Sequence, residues 1–109
     1  MLDRQLWVAL SKPLADRDAI AARLPEHLDF MIGLEREGIL FGSGPFLGGA
    51  FGEGMTILRA ATADDARAIL DRDPFVVAGL RTYELREWLL KEGAITVTLH
   101  ASDQRGSLP

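Results

Sequence analysis

Ile39-Leu40-Phe41-Gly42-Ser43-Gly44-Pro45-Phe46 begins as an apolar run and then dissolves into the glycine-rich stretch Gly48-Gly49-Ala50-Phe51-Gly52-Glu53-Gly54. Met55-Thr56-Ile57-Leu58-Arg59-Ala60 resumes the β-like pattern. Two such runs separated by glycine read as a hairpin with a long flexible tip. A hairpin here decides the fold, because a strand and a helix precede it while a helix and a strand follow. The glycine cluster is not GxGxxG between a buried strand and a helix, so a mobile flap suits it better than a phosphate cradle.

Upstream of the hairpin, Ile20, Ala21, Leu24, Leu28, Met31, Ile32 and Leu34 recur at helical spacing between Asp16 and Glu37. Asp16 can cap the start of that helix, and Gly38 is a C-terminal stop. Pro25 either kinks the helix or opens a second segment at Glu26. The short apolar run from Gln5 to Ser11, closed by Lys12-Pro13, has the length of a strand buried on both faces. Downstream, Thr62-Ala63-Asp64-Asp65 caps a helix bearing Ala66, Ile69 and Leu70, which must stop near Arg72 because Asp73 precedes Pro74. Val76 to Gly79 reads as an apolar connector, Leu80 to Leu90 as a long fourth strand, and Ile95 to His100, with its clean alternation, as a fifth.

The order β-α-β-β-α-β, with one additional C-terminal strand, is that of a ferredoxin-like α+β unit. Residues 1–102 are expected to form its single domain, with a polar tail at 103–109. Two helices cover one face of such a sheet and leave an apolar face on the other, so a homodimer through the sheet face is expected.

With 109 residues, 48% of them hydrophobic and 26% charged, the chain has the composition of one folded domain. The net charge of −4, with basic residues scattered among acids, argues against nucleic acid as a partner. The absence of cysteine removes disulfides, zinc thiolates and thiol catalysis, and suits a reducing compartment. No apolar stretch reaches the roughly 18 residues of a membrane span, so a cytoplasmic protein without membrane association is expected.

Two histidines are the only side chains that ordinarily change charge near neutral pH, and His100 lies almost at the C-terminus. His27 falls three residues after Leu24 and four before Met31, on or beside the buried stripe of its helix. Its ordinary reading is a boundary histidine bonded to some neighbour, and that of Asp73-Pro74 is a turn after a helix. Paired, they make a general base, with the carboxylate orienting the imidazole through one ring nitrogen. Gly42-Ser43-Gly44-Pro45 can present backbone N–H groups or the Ser43 hydroxyl to an oxyanion. Nothing near Ser43 has the spacing of a nucleophile's partners. Two distant histidines and scattered acids do not make a metal site, so neither metal nor cofactor is expected.

His27-Leu28, the run from Gly38 to Pro45, the helix containing Ala66, and Asp73-Pro74-Phe75 followed by Gly79-Leu80 resemble the YCII-related (YciI-like) family in order and spacing. The resemblance extends from about Gln5 to His100. It implies a dimeric α/β-barrel protein, similar to muconolactone isomerase, with a histidine and an aspartate in its active site. These map onto His27 and Asp73, with Ser43, Gly44 and Pro45 lining the same cavity and Phe75 beside it. One kind of member is a dehydrochlorinase, whose substrate nothing in this sequence specifies.

The expected function is a cofactor-independent enzyme of isomerase, lyase or hydrolase type, in which His27 and Asp73 move a proton on a small organic acid. Arg59 or Arg81, with N–H groups near Gly44, could balance an anionic substrate's charge. The alternative is a non-catalytic dimeric module that binds a small ligand or serves another enzyme.

Overall fold

β1 (Arg4–Pro13) is the strand on which the other elements assemble. In the computed structural model, which describes residues 4–94, it is followed by α1 (Arg17–Arg36), β2 (Leu40–Pro45), β3 (Gly54–Leu58), α2 (Ala63–Leu70), α3 (Pro74–Val77) and β4 (Arg81–Leu90). The sheet order is β2-β3-β1-β4, and every neighbouring pair is antiparallel. This is the expected ferredoxin-like α+β fold. The fifth strand expected at Ile95 to His100, and the tail beyond it, lie outside the described residues. No helix among the described residues is long and apolar enough to cross a membrane.

Asp16 starts α1 as foreseen, its carboxylate accepting from the Ala19 N–H at 2.9 Å. The helix runs through Pro25 without a second start. Pro25 lies on the exposed side, so the hydrogen bond it cannot donate is lost where water can reach the freed carbonyl. Gly38, at φ +76°, closes the helix while the Ile39 N–H reaches back to the Leu34 carbonyl at 3.0 Å. That is the glycine-terminated arrangement a left-handed residue permits.

Met31 and Leu34 of α1 and Leu70 of α2 pack on Ala9, Leu40 and Leu58 of the sheet. Leu24 and Leu28, expected on the same stripe, are about half exposed. They sit where α1 overhangs a cavity instead of the sheet. On the opposite sheet face Leu6, Ile57 and Leu90 form a second cluster with Val8, Phe41 and Met55.

α2 is capped by Thr62, whose hydroxyl accepts from the Asp65 N–H at 3.1 Å. The segment after it is not the connector expected from sequence. Asp73 keeps the extended ψ of 126° that a following proline imposes, and Pro74 then occupies the first position of α3, where a missing N–H costs nothing. Four residues are too few to show a period.

Tyr83, the one tyrosine in the chain, ties β4 to the end of α2 by donating to Asp71 Oδ1 at 2.8 Å. Burial, then that hydrogen bond and the Asp71 charge, push its pKa from 10.0 up to about 12, with Arg67 pulling the other way. A pKa raised by folding contributes stability that is complete below the unfolded value and is lost as pH rises through the folded one. Ultraviolet titration of the phenolate should therefore show a midpoint near 12, together with declining stability between 10.0 and that pH. A midpoint at the free-tyrosine value would mean that the Asp71 bond does not persist in solution.

Candidate active site

Asp73 is brought to the site by α3. As the cap of that helix it accepts the Phe75 N–H on Oδ1 at 2.9 Å, which fixes the carboxylate against the backbone. The residue is 7% exposed. His27, 46 positions earlier in the chain, places Nδ1 at 2.9 Å from Asp73 Oδ1 and 3.0 Å from Oδ2. An ionised carboxylate only accepts, so Nδ1 carries the hydrogen and donates it. No described residue hydrogen-bonds Nε2, which is left as an acceptor.

Phe75 fixes the plane of the ring. Its own ring is almost fully buried and stacks on His27 with centroids 4.3 Å apart and planes 17° from parallel. The aromatic two positions after Asp73 therefore holds the imidazole by its face, while the carboxylate holds it by its edge. Both restraints come from a single turn of backbone.

His27 and Phe75 line a cavity of about 600 Å³ between α1, the sheet and the loop joining β2 to β3. A small organic molecule fits a space of this size. Ser43, Gly44 and Pro45 line it too, all exposed at its mouth. Their presence there depends on a bulge: the β2–β3 register shifts between Leu40 and Gly42. In a regular strand Ser43 would face away from Leu40, but the extra residue puts Ser43 opposite Thr56, on the helix side. Phe41 turns to the other face, where it joins the cluster around Leu6.

Of the two arginines suggested by sequence, Arg59 does not reach the cavity. Its guanidinium donates to the Gly38 and Leu40 carbonyls at 3.2 and 3.3 Å and lies over Phe41. Arg81 is on the cavity wall. Burial lowers its pKa from the ordinary arginine value, and the Asp73 charge opposes that shift. Sequence reasoning missed Ser11, Arg17, Phe51 and Glu53, which also line the cavity. Ser11 was detectable as a polar residue ending an apolar strand. Arg17 and Phe51 were not, since their contact, with Cζ 4.1 Å from the ring centroid, joins a helix start to a loop. Among the described residues no group of three or more His, Cys, Asp or Glu side chains could hold a metal ion.

Residues 6–89 match the model of the YCII-related domain. The chain belongs to the YCII-related family. Among solved structures, this YCII-related chain is similar to 5-chloro-2-hydroxyhydroquinone dehydrochlorinase from Burkholderia phenoliruptrix AC1100, in complex with 2,5-dihydroxybenzoquinone. The two share 23% identity and superpose with a TM-score of 0.65, over 81% of this chain and 95% of the other. At that identity the match carries the fold. No curated protein sequence matches the chain.

Proposed function

We propose that this YCII-related protein is an enzyme in which His27 Nε2 acts as a general base, and then as a general acid, on a small organic acid or acidic hydroxylated ring. The observation that carries the reading is the imidazole held between the Asp73 carboxylate at 2.9 Å and the Phe75 ring, on the wall of a cavity of ligand size. Asp73 sets the tautomer and stabilises the imidazolium formed when Nε2 takes a proton. The electron pair released at the substrate either shifts a double bond, giving isomerisation, or expels a leaving group, giving elimination. A water deprotonated by the same nitrogen would give hydrolysis. The Ser43 hydroxyl, exposed at the mouth, is suited to hold a developing oxyanion.

One structural neighbour is a dehydrochlorinase in complex with 2,5-dihydroxybenzoquinone, which favours elimination from a hydroxylated ring over the other two outcomes. Incubating the protein with 5-chloro-2-hydroxyhydroquinone and following chloride release tests this directly. Release faster than in buffer is expected. With no release, and ligand density near His27 in crystals soaked with the corresponding quinone, the site would bind without catalysing.

The same reading includes a second copy of the chain. Val8, Met55 and Phe41 flank the buried cluster on the sheet face away from the helices. Trp88, opposite Leu6 on β4, is 41% exposed there. An apolar face of this kind suits a sheet-to-sheet homodimer, so sedimentation equilibrium is expected to return twice the chain mass. A monomer at micromolar concentration would contradict the assembly without touching the chemistry.

A further inference from the structure

Phe75 carries a second flat group besides His27. The Arg81 guanidinium lies over the same ring with Cζ 4.6 Å from its centroid, and all three residues line the cavity. Arg81 is placed there by the first residue pair of the β1–β4 ladder, opposite Pro13, just after the Leu80 N–H bonds the Phe75 carbonyl at 2.9 Å. Its Nε is buried without a hydrogen-bond partner. Asp73 attracts it through space, but both Asp73 oxygens face His27 Nδ1 and one also takes the Phe75 N–H. Glu53 lies on the same cavity wall, and no ion pair among the described residues joins it to Arg81. Arg17, the remaining arginine at the cavity, is exposed and stacked on Phe51.

A part-buried guanidinium whose buried Nε–H is unsatisfied is costly, and the cost falls when an acceptor arrives. The planar fork of donors matches two oxygens held side by side. The geometry points to Arg81 as the residue that selects the substrate: a planar anion with two adjacent oxygens, either a carboxylate or the vicinal oxygens of an ionised ring. The anion seats on the guanidinium and presents its reacting atoms to the imidazole, which lines the same cavity. This deepens the reading of His27 as the base and rests on it for the chemistry, but not for the binding. The charge of an anion, like that of Asp73, also opposes the lowering of the Arg81 pKa by burial.

The test uses benzoate, tropolonate and neutral benzamide, titrated by calorimetry into the parent protein and into Arg81→Gln. The Arg81 Nε–H resonance is followed in nitrogen-15 spectra, assigned through the backbone. Both anions are expected to bind the parent at least about 10-fold more tightly than benzamide, and Arg81→Gln to lose about 10- to 100-fold for the anions and little for benzamide. A preference for benzoate would mark a carboxylate substrate, and one for tropolonate a ring with vicinal oxygens. Only the anions should move the Arg81 resonance, a readout that needs no variant and so survives poor folding of Arg81→Gln. His27→Gln should keep the preference for anions, which separates failure of the proton chemistry from failure of anion selection. Equal affinity for anions and benzamide, an unmoved resonance, or no binding of either anion would overturn the assignment.

Discussion

Replacing His27 with glutamine is expected to leave a folded protein that binds its ligand and turns it over about 10²- to 10⁴-fold more slowly. Glutamine has an amide NH₂ that can still donate to Asp73 and a flat end that can still lie on Phe75, so the wall of the cavity is largely preserved. What it lacks is a basic nitrogen. Every step assigned to Nε2 fails, whereas the contacts that hold a ligand at Arg81 and Ser43 remain. Chloride release from 5-chloro-2-hydroxyhydroquinone, compared under saturating conditions, gives the rate, and circular dichroism with thermal unfolding checks the fold. His27→Ala provides the complement: the vacated space beside Phe75 should admit free imidazole and recover part of the rate. If the glutamine variant turns over within a factor of two of the parent, the imidazole has no part in the reaction.

The hairpin at Ile39 to Ala60 was legible because its apolar runs and glycines are local signals, and the two helices announced themselves through Asp16, Gly38 and Thr62. The pairing of His27 with Asp73 was of another kind. A separation of 46 positions carries no spacing rule: the chemistry of the two side chains suggested a pair, and the resemblance to a family implied that they meet. Three features escaped local reading for separate reasons. The bulge at Leu40 to Gly42 breaks the period of two that alone predicts which face a strand residue takes. α3 has four residues, so its helical character depends on a cap and a proline more than on any pattern. The choice between Arg59 and Arg81 depended on side-chain direction: Arg59 turns back to carbonyls of its own hairpin, while Arg81 starts a strand with its guanidinium over the Phe75 ring on the cavity wall.

Asp73 combines a structural role and a chemical one, and two substitutions separate them. Alanine removes the cap on the Phe75 N–H and the acceptor of His27 Nδ1 together. Loss of the cap costs about 1 kcal/mol, and leaving the partly buried ring nitrogen unpartnered costs about 1–3 kcal/mol more. For a domain of this size each kcal/mol lowers Tm by roughly 4–8 °C, so Asp73→Ala should melt at least roughly 8 °C below the parent. Asparagine is different. Its Oδ1 can keep the Phe75 N–H, so stability should fall by only about 1 kcal/mol. Its NH₂, however, faces His27 Nδ1 as a donor, and the imidazole must move its hydrogen to Nε2 in order to accept. The nitrogen on the cavity side is then no longer a base, and turnover should drop by up to about 10⁴-fold, the size of effect seen when a base is locked in the wrong tautomer. The nitrogen-15 chemical shifts of the His27 ring report the tautomer directly. An Asp73→Asn variant that keeps its melting temperature, its turnover and the parent's ring shifts would mean that Asp73 caps α3 and does nothing for the chemistry.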